Sequence, residues 1–171
     1  MKHIIFLGFL LPIFICELTR HSGDVLERKR IFIEAHRGIS NGQTNHNTKE
    51  AILDSIRNGV EAFETDAWLT KDKKVILMHD GNLNGLSCND IPIQYGDKYI
   101  RDYKWEVIQS CETNEGYKIP LLEDIMEITK GKIFMNLEIK DVNEEIWDKI
   151  LELIEKYEYY DQIAICSFEL K

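Results

Sequence analysis

The stretch Lys132-Ile133-Phe134-Met135-Asn136-Leu137-Glu138-Ile139-Lys140, KIFMNLEIK, decides the fold. In an extended chain, side chains alternate between two faces. Ile133, Met135, Leu137 and Ile139 therefore share one apolar face, while Asn136, Glu138 and Lys140 share the other. The charged pair stands at the C-terminal end of the strand. Immediately downstream, Asn143-Glu144-Glu145 opens a helix whose apolar stripe is Ile146, Ile150, Leu153, Ile154 and Tyr157, with acids in its first turn where the helix dipole favours them. QIAICSF then reads as another strand.

The same alternation extends upstream. RIFIEAH is a strand candidate, and Asn47 or Thr48 caps the helix that follows, Asn47 with Glu50 resembling a capping box. Ile52 and Ile56 lie on one face of that helix, which Asn58-Gly59 ends. VEAFETDAWL and KVILMHD read as strands. Leu121, Leu122, Ile125, Met126 and Ile128 mark a helix ending at Gly131. Strands alternating with helices indicate an α/β protein with a parallel sheet. The interval 81–120 is poor in pattern and reads as a functional insertion or small subdomain.

The chain has 171 residues, room for one domain, and its 44% hydrophobic content suits a globular core. Net charge is −9 with no extended block of Lys and Arg, which argues against nucleic acid and anionic membrane surfaces as partners. The N-terminus, MKHIIFLGFLLPIFICELTR, sets an apolar run after Lys2 and His3 that is shorter than the roughly 20 residues a spanning helix needs. It reads as a secretory signal peptide over about residues 1–18 with an indistinct cleavage site, followed by a polar linker over 19–30. The expected location is thus the secretory pathway, with no stable membrane span once the signal is removed; an uncleaved anchor is the alternative. Of the four cysteines, Cys16 would leave with the signal. Cys88 and Cys111 are candidate disulfide partners in an oxidising compartment, with three thiols as the alternative. Cys166, in an apolar run, is expected to be a buried core thiol.

Chemistry collects at strand ends. His36 ends the first strand, Glu64 and Asp66 share a face near the end of the second, His79 ends the third, and Glu138 and Lys140 end the fourth. Active sites of (β/α)₈ barrels are built at such C-terminal ends. Carboxylates left unpaired in an apolar sheet are costly to bury. Glu64, Asp66 and Glu138 therefore call for a cation, and hard oxygen donors favour Mg²⁺ or Ca²⁺. His36 and His79 are candidate acid and base. Arg37 has the geometry to fork onto a phosphate. Lys140 is open to two readings, an ion pair with Glu138 or a group that contacts ligand.

The ordered set resembles the glycerophosphodiester phosphodiesterase family: HRG at 36–38, NHNTKEA at 45–51, ETD at 64–66, HD at 79–80, IPLLEDI at 119–125, LEIK at 137–140 and SF at 167–168. The resemblance covers nearly everything after residue 30. It implies a (β/α)₈ barrel that hydrolyses small glycerophosphodiesters to glycerol 3-phosphate and an alcohol. It implies a divalent cation held by Glu64, Asp66 and Glu138, and a His36–His79 acid/base pair with His36 as the base. Arg37 and Lys140 would touch phosphate oxygens, and the insertion would cover the site. His46 stands where the family usually has Glu, a basic residue is missing after His79-Asp80, and Glu34 is an additional acid with no assigned role. A full barrel needs typically about 250 residues. Residues 31–171 are therefore expected to form the N-terminal part of an incomplete barrel, with about five of its eight strands present. A phospholipase-D-like toxin acting on sphingomyelin or lysophospholipid is a second reading, though such toxins generally lack the arginine that stands here as Arg37. A non-catalytic remnant is the third. The sequence does not fix an oligomeric state.

Overall fold

The computed structural model describes residues 4–6, 31–40, 46–89 and 98–168. Five strands lie side by side in parallel: β1 (Ile4–Phe6), β2 (Phe32–His36), β3 (Ala62–Leu69), β7 (Phe134–Ile139) and β8 (Ile163–Cys166), in the order β1-β2-β3-β7-β8. Crossover helices α1 (Lys49–Arg57) and α4 (Glu145–Tyr157) join β2 to β3 and β7 to β8, and α3 (Leu122–Thr129) precedes β7. This is an incomplete α/β barrel. Most of the expected leader and all of the expected linker (19–30) lie outside the described residues; Ile4–Phe6 pairs with Phe32–Glu34. Among the described residues no helix is long and apolar enough to cross a membrane.

The alternation read in the sequence sorts the two faces. Ala35, Phe63, Ala67, Met135, Leu137 and Ile139 turn to the helices. There they pack with Ile52 of α1, Leu122, Ile125 and Met126 of α3, and Ile146, Ile150 and Ile154 of α4. Burying each of the larger aliphatic side chains contributes roughly 1.5–3 kcal/mol, so this face holds the fold together. The opposite face, the barrel interior, carries the polar residues.

The third expected strand differs from its neighbours. β4 (Val75–Leu77) pairs antiparallel with the end of β3, Leu69 opposite Val75 and Ala67 opposite Leu77. A parallel return requires a crossover of a dozen or more residues, and only residues 70–74 separate the two strands. Lys73 takes φ +65° and its N–H donates to the Thr70 carbonyl, closing a hairpin instead. His79 therefore does not end a parallel barrel strand; it lies on the segment beyond β4.

The interval 81–120 is a small body of its own, of which 90–97 lie outside the described residues. Its antiparallel pair β5 (Ser87–Cys88) and β6 (Cys111–Glu112) sets Cys88 directly opposite Cys111, and the two are disulfide-bonded. The short helix α2 (Trp105–Ile108) supplies Ile108 to a second core with Ile76, Leu83, Ile100, Ile119 and Leu121. This core packs against β4, next to the ends of the barrel strands.

Candidate active site

Register builds the site. His36 of β2 is the partner of Glu64 of β3, which is the partner of Asn136 of β7; one step further, Asp66 is the partner of Glu138. Two adjacent rows of inward side chains thus hold an imidazole and three carboxylates. One oxygen each of Glu64, Asp66 and Glu138 lies within 4.8 Å of the others. Glu64 and Asp66 are buried. Burial, with the neighbouring Asp66 charge, pushes the Glu64 carboxyl up to about 8, the signature of a cluster short of positive charge. The all-oxygen donor set and its excess of negative charge fit a hard divalent cation.

The His-Arg-Gly turn wraps onto this cluster. His36 Nε2 lies 3.7 Å from Glu64 Oε2, and burial, then the Arg37 charge, lowers the His36 pKa. Arg37 is left-handed at φ +59°, and that conformation aims its backbone N–H at Glu64 Oε2, 3.0 Å away. Its Nε stands 3.5 Å from Asp66 Oδ2. Gly38, at φ +80°, is required by packing as well as conformation, since a Cβ would come 2.8 Å from the Ala51 backbone of α1.

Asn47 has a different job from the one its sequence context suggests. Thr48 is the N-cap of α1, its Oγ1 accepting from the Ala51 N–H at 3.2 Å. Asn47, buried at φ +58°, donates from Nδ2 to Asp66 Oδ2 at 2.9 Å and accepts from Thr65 Oγ1 at 2.7 Å. Its own N–H donates to the Arg37 carbonyl at 3.0 Å. Asn47 therefore ties the His-Arg-Gly turn to the Glu-x-Asp strand. Its advance signals were an Asn within a loop that precedes a second good cap and its place in the stretch NHNTKEA at 45–51.

Lys140 follows β7 and folds back. Its Nζ lies 2.9 Å from Glu138 Oε1 and 3.3 Å from Asp66 Oδ1. Burial opposes the ammonium charge, but the bonds to Glu138 and Asp66 outweigh it and raise the pKa. Both cations expected to touch phosphate, Arg37 and Lys140, are turned onto carboxylates here.

His79 is held from two sides. Asp80 Oδ1 lies 2.8 Å from His79 Nδ1, and Trp68 Nε1 donates to the His79 carbonyl at 3.3 Å. The Trp68 ring also packs on Gly81, where a Cβ would come within 2.6 Å of it. His46 and His79 line one cleft with Met78, Leu86, Lys118 and Ile119, so the insertion forms its far wall. Burial, then Arg37 and His79, lowers the His46 pKa. Cys166 is exposed rather than a core thiol. The alternation of β8 sends Ile163 and Ile165 toward the helices and Cys166 to the open inner face, beside Glu138.

Residues 36–170 match the model of the glycerophosphoryl diester phosphodiesterase family. The chain belongs to that family. A family relative named glycerophosphodiester phosphodiesterase, from Bacillus altitudinis, is 29% identical over 80% of the chain and 57% of its own length. The human protein named lysophospholipase D GDPD3 is 32% identical over 82% of the chain and 45% of its own length. The crystal structure of a glycerophosphodiester phosphodiesterase from Thermotoga maritima superposes with a TM-score of 0.65 at 28% identity, covering 84% of this chain and 56% of that one. The chain thus spans about half the length of the relatives it matches.

Proposed function

We propose that this family domain serves the metal-dependent hydrolysis of glycerophosphodiesters, releasing glycerol 3-phosphate and a free alcohol. The observation that carries the reading is the convergence of Glu64, Asp66 and Glu138 beside His36, with one oxygen of each within 4.8 Å of the others. A divalent ion, Ca²⁺ or Mg²⁺, held by those three would neutralise and polarise the phosphate when bound. His36 is kept neutral by burial and by Arg37, as a general base must be, and accepts the proton of the attacking water. His79, its Nδ1 engaged by Asp80, offers its other ring nitrogen to protonate the departing alkoxide. Arg37 and Lys140 supply positive charge for the phosphate oxygens. The leader over residues 1–18 and the Cys88–Cys111 bridge support a secreted protein, with 19–30 as linker and 31–171 as the barrel portion; on this reading the Ile4–Phe6 strand beside β2 leaves with the leader.

Lysophospholipid hydrolysis is the second reading. The name of the human relative suggests it, and the apolar side chains Leu77, Met78, Leu86 and Ile119 along the cleft beside His79 favour it. The test is release of choline from glycerophosphocholine and from lysophosphatidylcholine, each with Ca²⁺, with Mg²⁺ and with chelator. Turnover that persists in chelator would remove the metal from the mechanism. Turnover of the lysolipid alone would make the second reading the right one.

A further inference from the structure

Lys140 occupies the ground that a metal ion would claim. Its Nζ is within hydrogen-bonding distance of Glu138 Oε1 and Asp66 Oδ1, an oxygen from each of two of the three acids that form the cluster. The remaining polar partners of the cluster stand elsewhere. Arg37 and Asn47 both address the other Asp66 oxygen, Oδ2, and the Arg37 N–H addresses Glu64. Lys140 is thus the group that neutralises the Asp66–Glu138 side. A divalent ion bound between those oxygens and an ammonium bonded to the same two would be like charges in one small volume. The two occupants repel each other.

Lys140 also has somewhere to go. Its side chain is 22% exposed, its backbone is anchored by its N–H donating to the Ala67 carbonyl, and its four-carbon stem is flexible. The ammonium can leave the cluster without disturbing β7.

Resting on the metal-site reading above, we propose that Lys140 is a resident cation that competes with the divalent ion for Asp66 and Glu138, and that metal loading releases its ammonium to meet the substrate phosphate. The lysine stabilises the acid cluster before loading and becomes an anion-binding group after it. Metal binding and phosphate capture are then coupled events. The cation is taken up first, and the phosphate site is assembled as a result.

Two measurements on the purified chain test this. The first is a calorimetric titration with Ca²⁺, and separately with Mg²⁺, of wild type, Lys140→Met and Lys140→Arg. Lys140→Met should bind at least 10-fold tighter, while Lys140→Arg, which keeps the charge, should not gain. The second needs no mutation: a brief pulse of acetic anhydride, followed by peptide mass spectrometry. Acetylation of Lys140 should rise several-fold on addition of metal, with the other lysines unchanged. Equal affinity in wild type and Lys140→Met, or Lys140 acetylation indifferent to metal, would overturn the competition and leave the metal site standing. Absence of binding by every version would overturn the metal-site reading, and the competition with it.

Discussion

Replacing Glu34 by Gln should make the protein more stable above neutral pH, an unusual direction for a change in a buried strand. Glu34 lies on β2, two residues before His36 and on the same inward face, and is only 5% exposed. Asn136 hydrogen-bonds the carboxyl, yet its Oε2 has no hydrogen-bond partner among the described residues. Burial raises the carboxyl from its ordinary 4.5 to about 7, against the smaller opposing effect of Asn136. At 1.36 kcal/mol for each pH unit, that displacement corresponds to about 3 kcal/mol.

The sign follows from proton counting. Between about pH 4.5 and 7 the folded protein binds the Glu34 proton and the unfolded chain does not, so stability falls as pH rises through that window. Below it both states are protonated and the penalty vanishes; above it the full penalty applies. A glutamine side chain at this position is neutral at every pH and escapes the loss. Urea denaturation followed by circular dichroism at pH 4.5, 6 and 8 measures the effect. The Glu34→Gln variant should match wild type at pH 4.5 and exceed it by up to about 3 kcal/mol at pH 8. Glu64 also titrates upward, but it is present in both proteins and cancels in the difference. If the two proteins differ by the same amount at all three pH values, Glu34 is not held protonated and the argument from its burial is wrong.

Other outcomes follow from the same geometry. His36→Ala in a version spanning the whole barrel should lower hydrolysis at least about 100-fold with an unchanged circular dichroism spectrum; near-normal turnover would exclude His36 from proton transfer. Asn47→Ala removes a donor from Asp66 and an acceptor from Thr65, so it should cost about 2 kcal/mol in urea titrations; no loss would mean that Asn47 does not tie the turn to β3. Cys88→Ser with Cys111→Ser opens a loop of 23 residues and should cost about 3 kcal/mol, read as a lowered midpoint of thermal unfolding. A midpoint equal to that of wild type would make the bridge dispensable to stability.

Strand identity and facing were legible because alternation is local. KIFMNLEIK alone separates the helix-facing Met135, Leu137 and Ile139 from the inward Asn136 and Glu138, and the structure follows it residue by residue. The direction of β4 was also written in the chain, in a connection over 70–74 too short for a crossover. What periodicity does not carry is which of two adjacent cap-type residues serves the helix. Thr48 takes that role because Asn47, in a left-handed conformation, is drawn away by Asp66 and Thr65 from a different strand. Cys166 misleads for a related reason. An apolar run suggests burial on both sides, but the inner side of β8 is open among the described residues.

The site gains its character from an inequality between the two faces of one sheet. The outer face is apolar and covered by α1, α3 and α4, so it fixes the spacing and register of β2, β3 and β7. The inner face inherits that register at no cost in packing of its own. It can therefore hold residues that oppose folding: Glu34 and Glu64 kept well above their ordinary pKa, and Asp66 buried among other acids. Such a cluster persists because the rigid outer face holds it, and because Arg37, Asn47 and Lys140 each neutralise or bond part of it. Removing one of those partners leaves an uncompensated acid, whereas adding a cation displaces a partner. A site balanced in this way is poised to exchange its internal positive charge for an external one.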